Sequence, residues 1–340
     1  SGITRSMLAA ITEKQGFPRP SIRYHECNDP EVGFATFTTT DFIYAQNVLN
    51  HSIAAPFNRV KVIINPVSGK RNDKGKGQNQ KSKQGNYNQY SERILYTLHQ
   101  SKIDAEIVQT SSSTAATGIA RQCAKEGYDL VVAAGGDGTI NSVVNGLAGS
   151  QTALGIIPLG TINLLAMELK IPGDIESACR IIGHGRMKTI DLGKVNDRFF
   201  ISLCGIGFDA YVISQTHSSL KKQFGSAAFI INGIKDLIRY PFHSIKLHIN
   251  QKIHKSGYIV IVGNGRYYGA SVLIAPDAST DDGLLDVVIF QKRDAVSLLR
   301  YIWELHKGDL SALADVEHIR TKHISIERHG RHKVHVDGEY

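Results

Sequence analysis

The sequence predicts an α/β domain, a parallel sheet with helices on both faces, followed by an antiparallel β-rich domain. Three observations predict it. Continuous apolar strands alternate with helical patterns across residues 60–158, the signature of a parallel sheet covered on both sides. Beyond residue 189 the texture changes to short strands joined by turns such as Asn196-Asp197, which reads as antiparallel pairing. A length of 340 residues suits two domains and can bury sizeable cores without disulfides or metal staples.

Residues 1–58 show no sustained periodicity and read as an N-terminal extension of unknown role. Val60-Lys61-Val62-Ile63-Ile64 is a β-branched run ending at Asn65-Pro66, a buried strand followed by a turn. Residues 70–88 are rich in Lys, Gln, Asn and Gly with Asp73 as the one acid; this reads as a mobile basic loop, reaching to about residue 90. A helix follows at 91–100 with Ile94, Leu95 and Leu98 on one face, then a strand at 105–108 and a helix at 114–126. The strand at 130–134 leads into Ile140, Val143, Val144 and Leu147 at helical spacing, and 153–157 is strand again. These elements make a first domain of residues 59–188. The second, 189–340, carries strand patterns at 189–195, 198–203, 244–250, 257–262, 284–290, 323–327 and 333–336, and helical patterns at 220–238 and 294–306.

Composition bounds the function. Hydrophobic residues at 42% and charged residues at 21% are an ordinary globular balance. Lys plus Arg, 39, exceeds Asp plus Glu, 31, giving a formal +8. That excess suits an anionic partner such as nucleotide phosphate, a lipid surface or nucleic acid, without choosing among them. The four cysteines, Cys27, Cys123, Cys179 and Cys204, show no CxxC spacing and read as buried or free thiols in a reducing compartment. No apolar run is long enough to cross a bilayer, and the run at 8–11 is too short for a signal-peptide core. Secreted, collagenous, disordered and integral-membrane classes are all disfavoured.

Three loops carry the chemistry. Gly135-Gly136-Asp137-Gly138-Thr139 sits between a strand and a helix. Glycines there let backbone N–H groups approach an anion, and the helix adds the positive end of its dipole. Asp137 suits a ligand, through water, for the Mg²⁺ that accompanies ATP, or a base. The same residues also suit a Gly-rich turn with Asp as helix cap. Asn65-Pro66-Val67-Ser68-Gly69 and Gly160-Thr161-Ile162-Asn163 follow two further strands, so all three loops fall at carboxyl ends of parallel strands, where open α/β sheets bind ligands.

In these loops, with Asn141, the chain resembles the catalytic domain of the diacylglycerol kinase family, which bacterial diacylglycerol kinases share with sphingosine and ceramide kinases. The resemblance continues through Gly205-Ile-Gly-Phe-Asp209, Gly263-Asn-Gly-Arg-Tyr-Tyr-Gly269, Ala275-Pro276, Asp281-Asp-Gly-Leu-Leu-Asp286 and Asp337-Gly-Glu339, covering roughly residues 60–340 in order. It implies transfer of the γ-phosphate of ATP to a lipid hydroxyl, in a site between a nucleotide-binding domain and a sandwich-like one. It further implies ATP contacts from Asn65, Pro66, Val67, Ser68, Gly69, Thr110, Gly135, Gly136, Asp137, Gly138, Thr139, Ile140, Asn141, Gly160, Thr161 and Asn163. For Thr110 a helix-capping or turn hydroxyl stands beside that reading. Glu339 corresponds to the proton acceptor. Asp337, two residues away, shares its face if the backbone there is extended, so it joins Glu339 and Asp137 as a catalytic candidate. Ser279, Asp282 and Leu284 match a second Mg²⁺ site; a plain Asp-Gly turn is the other reading.

Three departures stand out. Leu164 follows Asn163 where the family usually has Asp or His, the basic loop is long, and relatives continue past the position of Tyr340 with strands returning to the first domain. The N-terminal extension replaces those strands, or they are missing. His318, His323, His329, His332 and His335 lack cysteine companions and cage spacing, and read as a solvated or headgroup-facing set. The helical pattern at 220–238, with Lys221, Lys222, Lys235 and Arg239 beside Phe224, Phe229 and Ile234, reads as a core helix with a basic outer face or a membrane-contacting helix. The expected protein is a cytoplasmic, peripherally membrane-associated lipid kinase using ATP and Mg²⁺. Its partners are a lipid substrate and anionic lipids rather than nucleic acid, and a homodimer stays open. The rivals are an NAD-kinase- or phosphofructokinase-like enzyme, which shares the GGDG-type loop, and a regulator that binds nucleotide or lipid without catalysis.

Overall fold

A computed structural model describes residues 34–46, 57–65, 80–184, 186–216, 240–250, 253–269, 272–327 and 332–339. The first half opens with β1 (Phe34–Gln46) and β2 (Val60–Ile64), then α1 (Gln80–Gln100), β3 (Ala105–Gln109), α2 (Ser113–Lys125), β4 (Leu130–Gly135) and α3 (Asp137–Leu147). It closes with β5 (Ala153–Pro158), α4 (Leu164–Glu168) and α5 (Ile175–His184). Strands β5-β4-β2-β3 pair in parallel, in that order. Their continuous burial, Val62 to Ile64 and Leu130 to Ala134 all at 0% exposure, is what a sheet packed on both faces requires. Ile94 and Leu98 of α1, Ile140 and Val143 of α3 and Ile182 of α5 complete this core.

Next come β6 (Arg186–Val195), β7 (Arg198–Phe200), β8 (Leu203–Gly207), α6 (Phe208–Thr216), β9 (Ile245–Ile249), β10 (Ile253–Gly257) and β11 (Ile259–Gly263). The chain ends with β12 (Tyr267–Gly269), β13 (Val272–Leu273), β14 (Leu285–Phe290), α7 (Ala295–Lys307), β15 (Val316–Thr321), β16 (His323–Glu327) and β17 (Val334–Val336). One antiparallel sheet runs β15-β14-β11-β8-β17. Alternate residues of its strands serve different cores: Val260, Val262, Val287 and Ile289 meet Leu247, Ile249 and Ile324 of the large sheet. Ile259, Ile261, Val288 and Phe290 meet Leu298 and Tyr301 of α7. A β-sheet covered on both faces is the result, in a β-rich half layered sheet on sheet.

Two expectations are corrected. The N-terminal stretch contains β1, a 13-residue strand. It pairs antiparallel with β6 and β16 and parallel with β5, and so lies inside a ten-stranded sheet of which eight strands run β10-β9-β16-β1-β5-β4-β2-β3, while β6 branches from β1 and carries β7. Its Thr, Phe, Ile and Tyr content has strand propensity, although no clean alternation marks it. The basic segment is also shorter as a loop than expected, because α1 starts at Gln80. Tyr87 and Tyr90 pack against the first core, and anchors at this i, i+3 spacing carry the helix upstream of Ser91. The helical pattern at 220–238 lies outside the described residues.

Candidate active site

The loops leaving the parallel strands meet. After β2, Asn65 donates its backbone N–H to the Ala134 carbonyl at 3.0 Å, and after β3 Thr110 donates its own to Ile64 at 2.9 Å. The Thr110 hydroxyl is buried and donates to the Ser112 carbonyl at 3.0 Å, so it serves the turn that precedes α2. Pro66, Val67, Ser68 and Gly69 lie outside the described residues.

The 135–141 and 160–163 loops touch through glycine. A Cβ on Gly160 would lie 2.9 Å from the Gly136 Cα, and one on Gly135 would lie 2.6 Å from the Thr139 side chain. Asn163 ties them: its Oδ1 accepts from Gly160 N at 3.0 Å and its Nδ2 donates to the Gly135 carbonyl at 3.1 Å. Thr161 is exposed at the rim, and the Ile140 side chain is in the core. Asp137 does not cap its own helix; its Oδ1 accepts the Leu164 N–H at 2.7 Å. The unusual residue at 164 therefore meets Asp137 through backbone, which any side chain allows. Burial lifts the Asp137 carboxyl from 3.8 to about 7; the Leu164 N–H opposes this and the nearby Asp337 charge adds to it.

Asp337 and Glu339 do not share a face. Asp337 and Gly338 have φ of 48° and 76°, and Val336 and Glu339 exchange backbone hydrogen bonds at 2.8 and 2.9 Å. This is a two-residue turn with both central residues left-handed, the conformation Asp-Gly favours, and it separates the two carboxylates. Asp337 accepts the N–H groups of Ile201 at 2.8 Å, Ser202 at 2.9 Å and Leu203 at 3.0 Å, which also explains why the expected 198–203 strand breaks into β7 and β8. Burial pushes the Asp337 carboxyl up while those three N–H groups pull it down. Glu339 turns the other way. Its Oε2 takes the Arg198 guanidinium at 2.5 Å, and its Oε1 lies 2.9 Å from where a Cβ on Gly138 would sit. The carboxylate thus rests on the 135–141 loop.

Beside Glu339 opens a cleft of about 950 Å³ lined by Thr117, Arg121, Asn141, Asn145, Arg198 and Phe199, among others. Asn145 joins α3 to β7 by donating to the Phe199 carbonyl and accepting its N–H, both at 3.0 Å. It also donates to Asn141 Oδ1 at 2.6 Å. Asn141, in the wall of the cleft, is 2% exposed, and its buried Nδ2 has no hydrogen-bond partner among the described residues. Sequence reasoning missed Arg198 and Asn145; the spacing of Asn145 four residues after Asn141 was the available signal.

At Ser279 and Asp282 the side chains, and at Leu284 the backbone N–H, are engaged within the turn and with its neighbours. The Asp282 carboxylate takes the Leu284 N–H at 2.9 Å on one oxygen and Arg320 on the other, while the Ser279 hydroxyl donates to Asp281 at 2.5 Å. Two basic side chains serve this turn, Arg320 on Asp282 and Lys188 2.7 Å from Asp281. Among the described residues no group of His, Cys, Asp and Glu is arranged to hold a metal ion.

The histidine set is not uniformly solvated, since His335 is 1% exposed. Its Nε2 lies 2.6 Å from Asp209 Oδ2, and its Nδ1 accepts the Gly338 N–H at 3.2 Å. An Nδ1 that accepts leaves the proton on Nε2, so the ring donates to Asp209. The Tyr268 hydroxyl donates to the other Asp209 oxygen. Only glycine fits at 205, where a Cβ would sit 1.8 Å from Asp209 Oδ2. Asp209, Tyr268 and His335 together brace the turn that carries Glu339. Removing the ring strands a buried carboxylate, so His335→Ala is expected to cost about 3 kcal/mol or more, read as a lower denaturant midpoint in urea unfolding. His318 is likewise paired, 2.7 Å from Asp286, and His329 lies outside the described residues.

Comparison with known proteins agrees with the two-part fold. Residues 78–195 match the model of the diacylglycerol kinase catalytic domain, and residues 202–340 match the YegS C-terminal NAD kinase beta sandwich-like domain. A diacylglycerol kinase from Staphylococcus saprophyticus is 30% identical over 285 residues, covering 83% of this chain and 89% of the relative. One from Bacillus subtilis is 30% identical over 296 residues, covering 83% and 90%. The crystal structure of a diacylglycerol kinase from Bacillus anthracis superposes with a TM-score of 0.61 at 25% identity, covering 83% of this chain and 90% of that one. With its motifs in family order, its two-part fold and relatives matched over nearly their whole length, the chain belongs to the diacylglycerol kinase family.

Proposed function

We propose that the chain transfers the γ-phosphate of ATP to the hydroxyl of diacylglycerol, giving phosphatidic acid at a membrane surface. The observation that carries this reading is the Glu339 carboxylate resting against Gly138, where a proton acceptor meets a phosphate-binding loop. Residues 59–188 would hold ATP, and residues 189–340 would present the lipid, with the 1–58 segment supplying β1. Backbone N–H groups of the 135–141 loop at the start of α3, with Asn65, Gly160 and Thr161, would hold the phosphates. The free Asn141 Nδ2, Arg121 and Arg198 add positive or donor character along the cleft. Asp137, once ionised, is the carboxylate that would hold the Mg²⁺ accompanying ATP, which would neutralise phosphate charge there. Glu339 accepts the lipid hydroxyl proton as the oxygen attacks, and Arg198 fixes the direction of its carboxylate. Asp337 acts through its three N–H bonds, which anchor the turn.

Incubation with γ-labelled ATP and a panel of diacylglycerol, monoacylglycerol, ceramide, sphingosine and polyprenol tests this. Label is expected in phosphatidic acid and to depend on Mg²⁺. Label in another lipid would reassign the substrate, and label in none would leave a nucleotide-binding protein without lipid kinase activity.

A further inference from the structure

We propose that α7 docks the protein on an anionic lipid bilayer. The helix is firmly held from one side: Leu298 and Tyr301 are 4% and 3% exposed and pack with Phe290. Asp294 caps its start by accepting the Ser297 N–H at 2.9 Å, and Gly308 closes its end at φ 78°. Its outer side is the unusual part. Val296 is 78% exposed, Leu299 54%, Ile302 62% and Trp303 62%, and their three- and four-residue spacing sets them in one stripe. Soluble surfaces scatter such side chains singly; a contiguous apolar stripe marks an interaction face.

Charge decides what covers it. Arg300 and Lys307 flank the stripe, Arg300 also meeting the Asp315 carboxylate at 2.5 Å; the exposed acids stand at the ends, Asp294 at the cap and Asp309 beyond Gly308. The one acid of the helix, Glu304, is mostly buried and paired with Lys307 at 3.1 Å. Between those two end acids the outward face is apolar and basic, which complements anionic headgroups above an acyl layer. Trp303, with the Lys307 ammonium 5.6 Å from its ring centre, is the pair expected at the headgroup boundary, the indole at the interface and the lysine reaching outward. Lys292 and Arg293 stand just before Asp294 and add basic character at this end, Arg293 also donating to the Phe242 carbonyl at 3.1 Å. The purpose of this docking rests on the lipid-kinase reading, whereas its test does not need turnover.

Trp303 is the only tryptophan in the chain, so tryptophan fluorescence, excited at wavelengths tyrosine does not absorb, reports on this helix alone. Vesicles of phosphatidylcholine, with or without a one-third share of phosphatidylglycerol, are to be mixed with the full chain. The expected result is a blue shift, and quenching by lipids brominated in the acyl chain, with the anionic vesicles only, weakening as salt is raised. Leu299→Glu combined with Ile302→Glu should abolish the quenching and vesicle co-sedimentation and lower phosphorylation of vesicle-embedded diacylglycerol more than tenfold. The same variant should keep the wild-type melting curve and wild-type activity on detergent-dispersed diacylglycerol. Docking without phosphorylation of any lipid supports this inference and removes the kinase reading. Phosphorylation in detergent with no Trp303 quenching on any vesicle overturns the inference and spares the reading. Equal quenching by neutral vesicles overturns it, as does self-association in sedimentation velocity that the double substitution abolishes, which would assign the stripe to a second copy.

Discussion

Glu339→Gln is expected to lower turnover about 10²–10⁴-fold, the usual contribution of a positioned general base. Glutamine keeps the size of the side chain and an oxygen for Arg198, which holds the native carboxylate at 2.5 Å, while removing the proton acceptor. ATP affinity should stay near wild type, because glutamine keeps the size of the side chain that rests beside Gly138. Steady-state rates with labelled ATP, together with calorimetric titration of ATP, separate the two quantities. Near-normal turnover would transfer the proton-accepting role to Asp137. Arg198→Ala should reproduce part of the defect without changing the chemistry of the acid, since it frees the carboxylate to leave the loop.

Asp137→Asn is expected to stabilise the protein and to remove the Mg²⁺ dependence of ATP binding. The carboxyl titrates at 3.8 when exposed and is lifted to about 7 in the fold, first by burial and then by the Asp337 charge. A raised carboxyl binds its proton more tightly in the folded state. Stability therefore falls as pH rises from about 4 toward 7 and is level above that, where the group is ionised in both states. A shift from 3.8 to about 7 corresponds to up to about 4 kcal/mol of penalty at high pH. Asparagine keeps an oxygen for the Leu164 N–H and carries no charge. The gain in melting temperature should thus be full at pH 8 and close to nothing at pH 4. In the wild type, MgATP affinity should tighten as pH rises through 7, and in the variant it should be flat. A variant melting as the wild type does at every pH would refute the buried charge.

The parallel half was legible because strands buried on both faces, such as Val62 to Ile64 and Leu130 to Ala134, have no choice but to be continuous apolar runs. Gly135 and Gly160 were legible because a Cβ at either would run into the Thr139 side chain or the Gly136 Cα. Legibility failed where position depends on a distant partner. β1 has strand composition, yet its strand character comes from β5, β6 and β16, which are remote in sequence. The Asp337–Glu339 arrangement was misread because period-two reasoning assumes an extended chain, and φ values of 48° and 76° reverse it. Arg198 and His335 were invisible for a related reason: an arginine in a short strand and a histidine among several gain meaning only when Glu339 and Asp209 arrive beside them.

The placement of β1 has a consequence for how this chain comes to be folded in the cell. Phe34 pairs with Glu327, contacts about 290 residues apart, so the first described strand to leave a ribosome waits for nearly the last. Until β16 is made, one edge of β1 stays open even if β5 and β6 have already joined it. A chain whose seam strand is shared between halves has high contact order and closes late, with an unpaired edge exposed during synthesis. Slow assembly and a dependence on chaperone holding would follow from that single strand, and expressing the two halves as separate pieces would leave each with a raw edge rather than a finished domain.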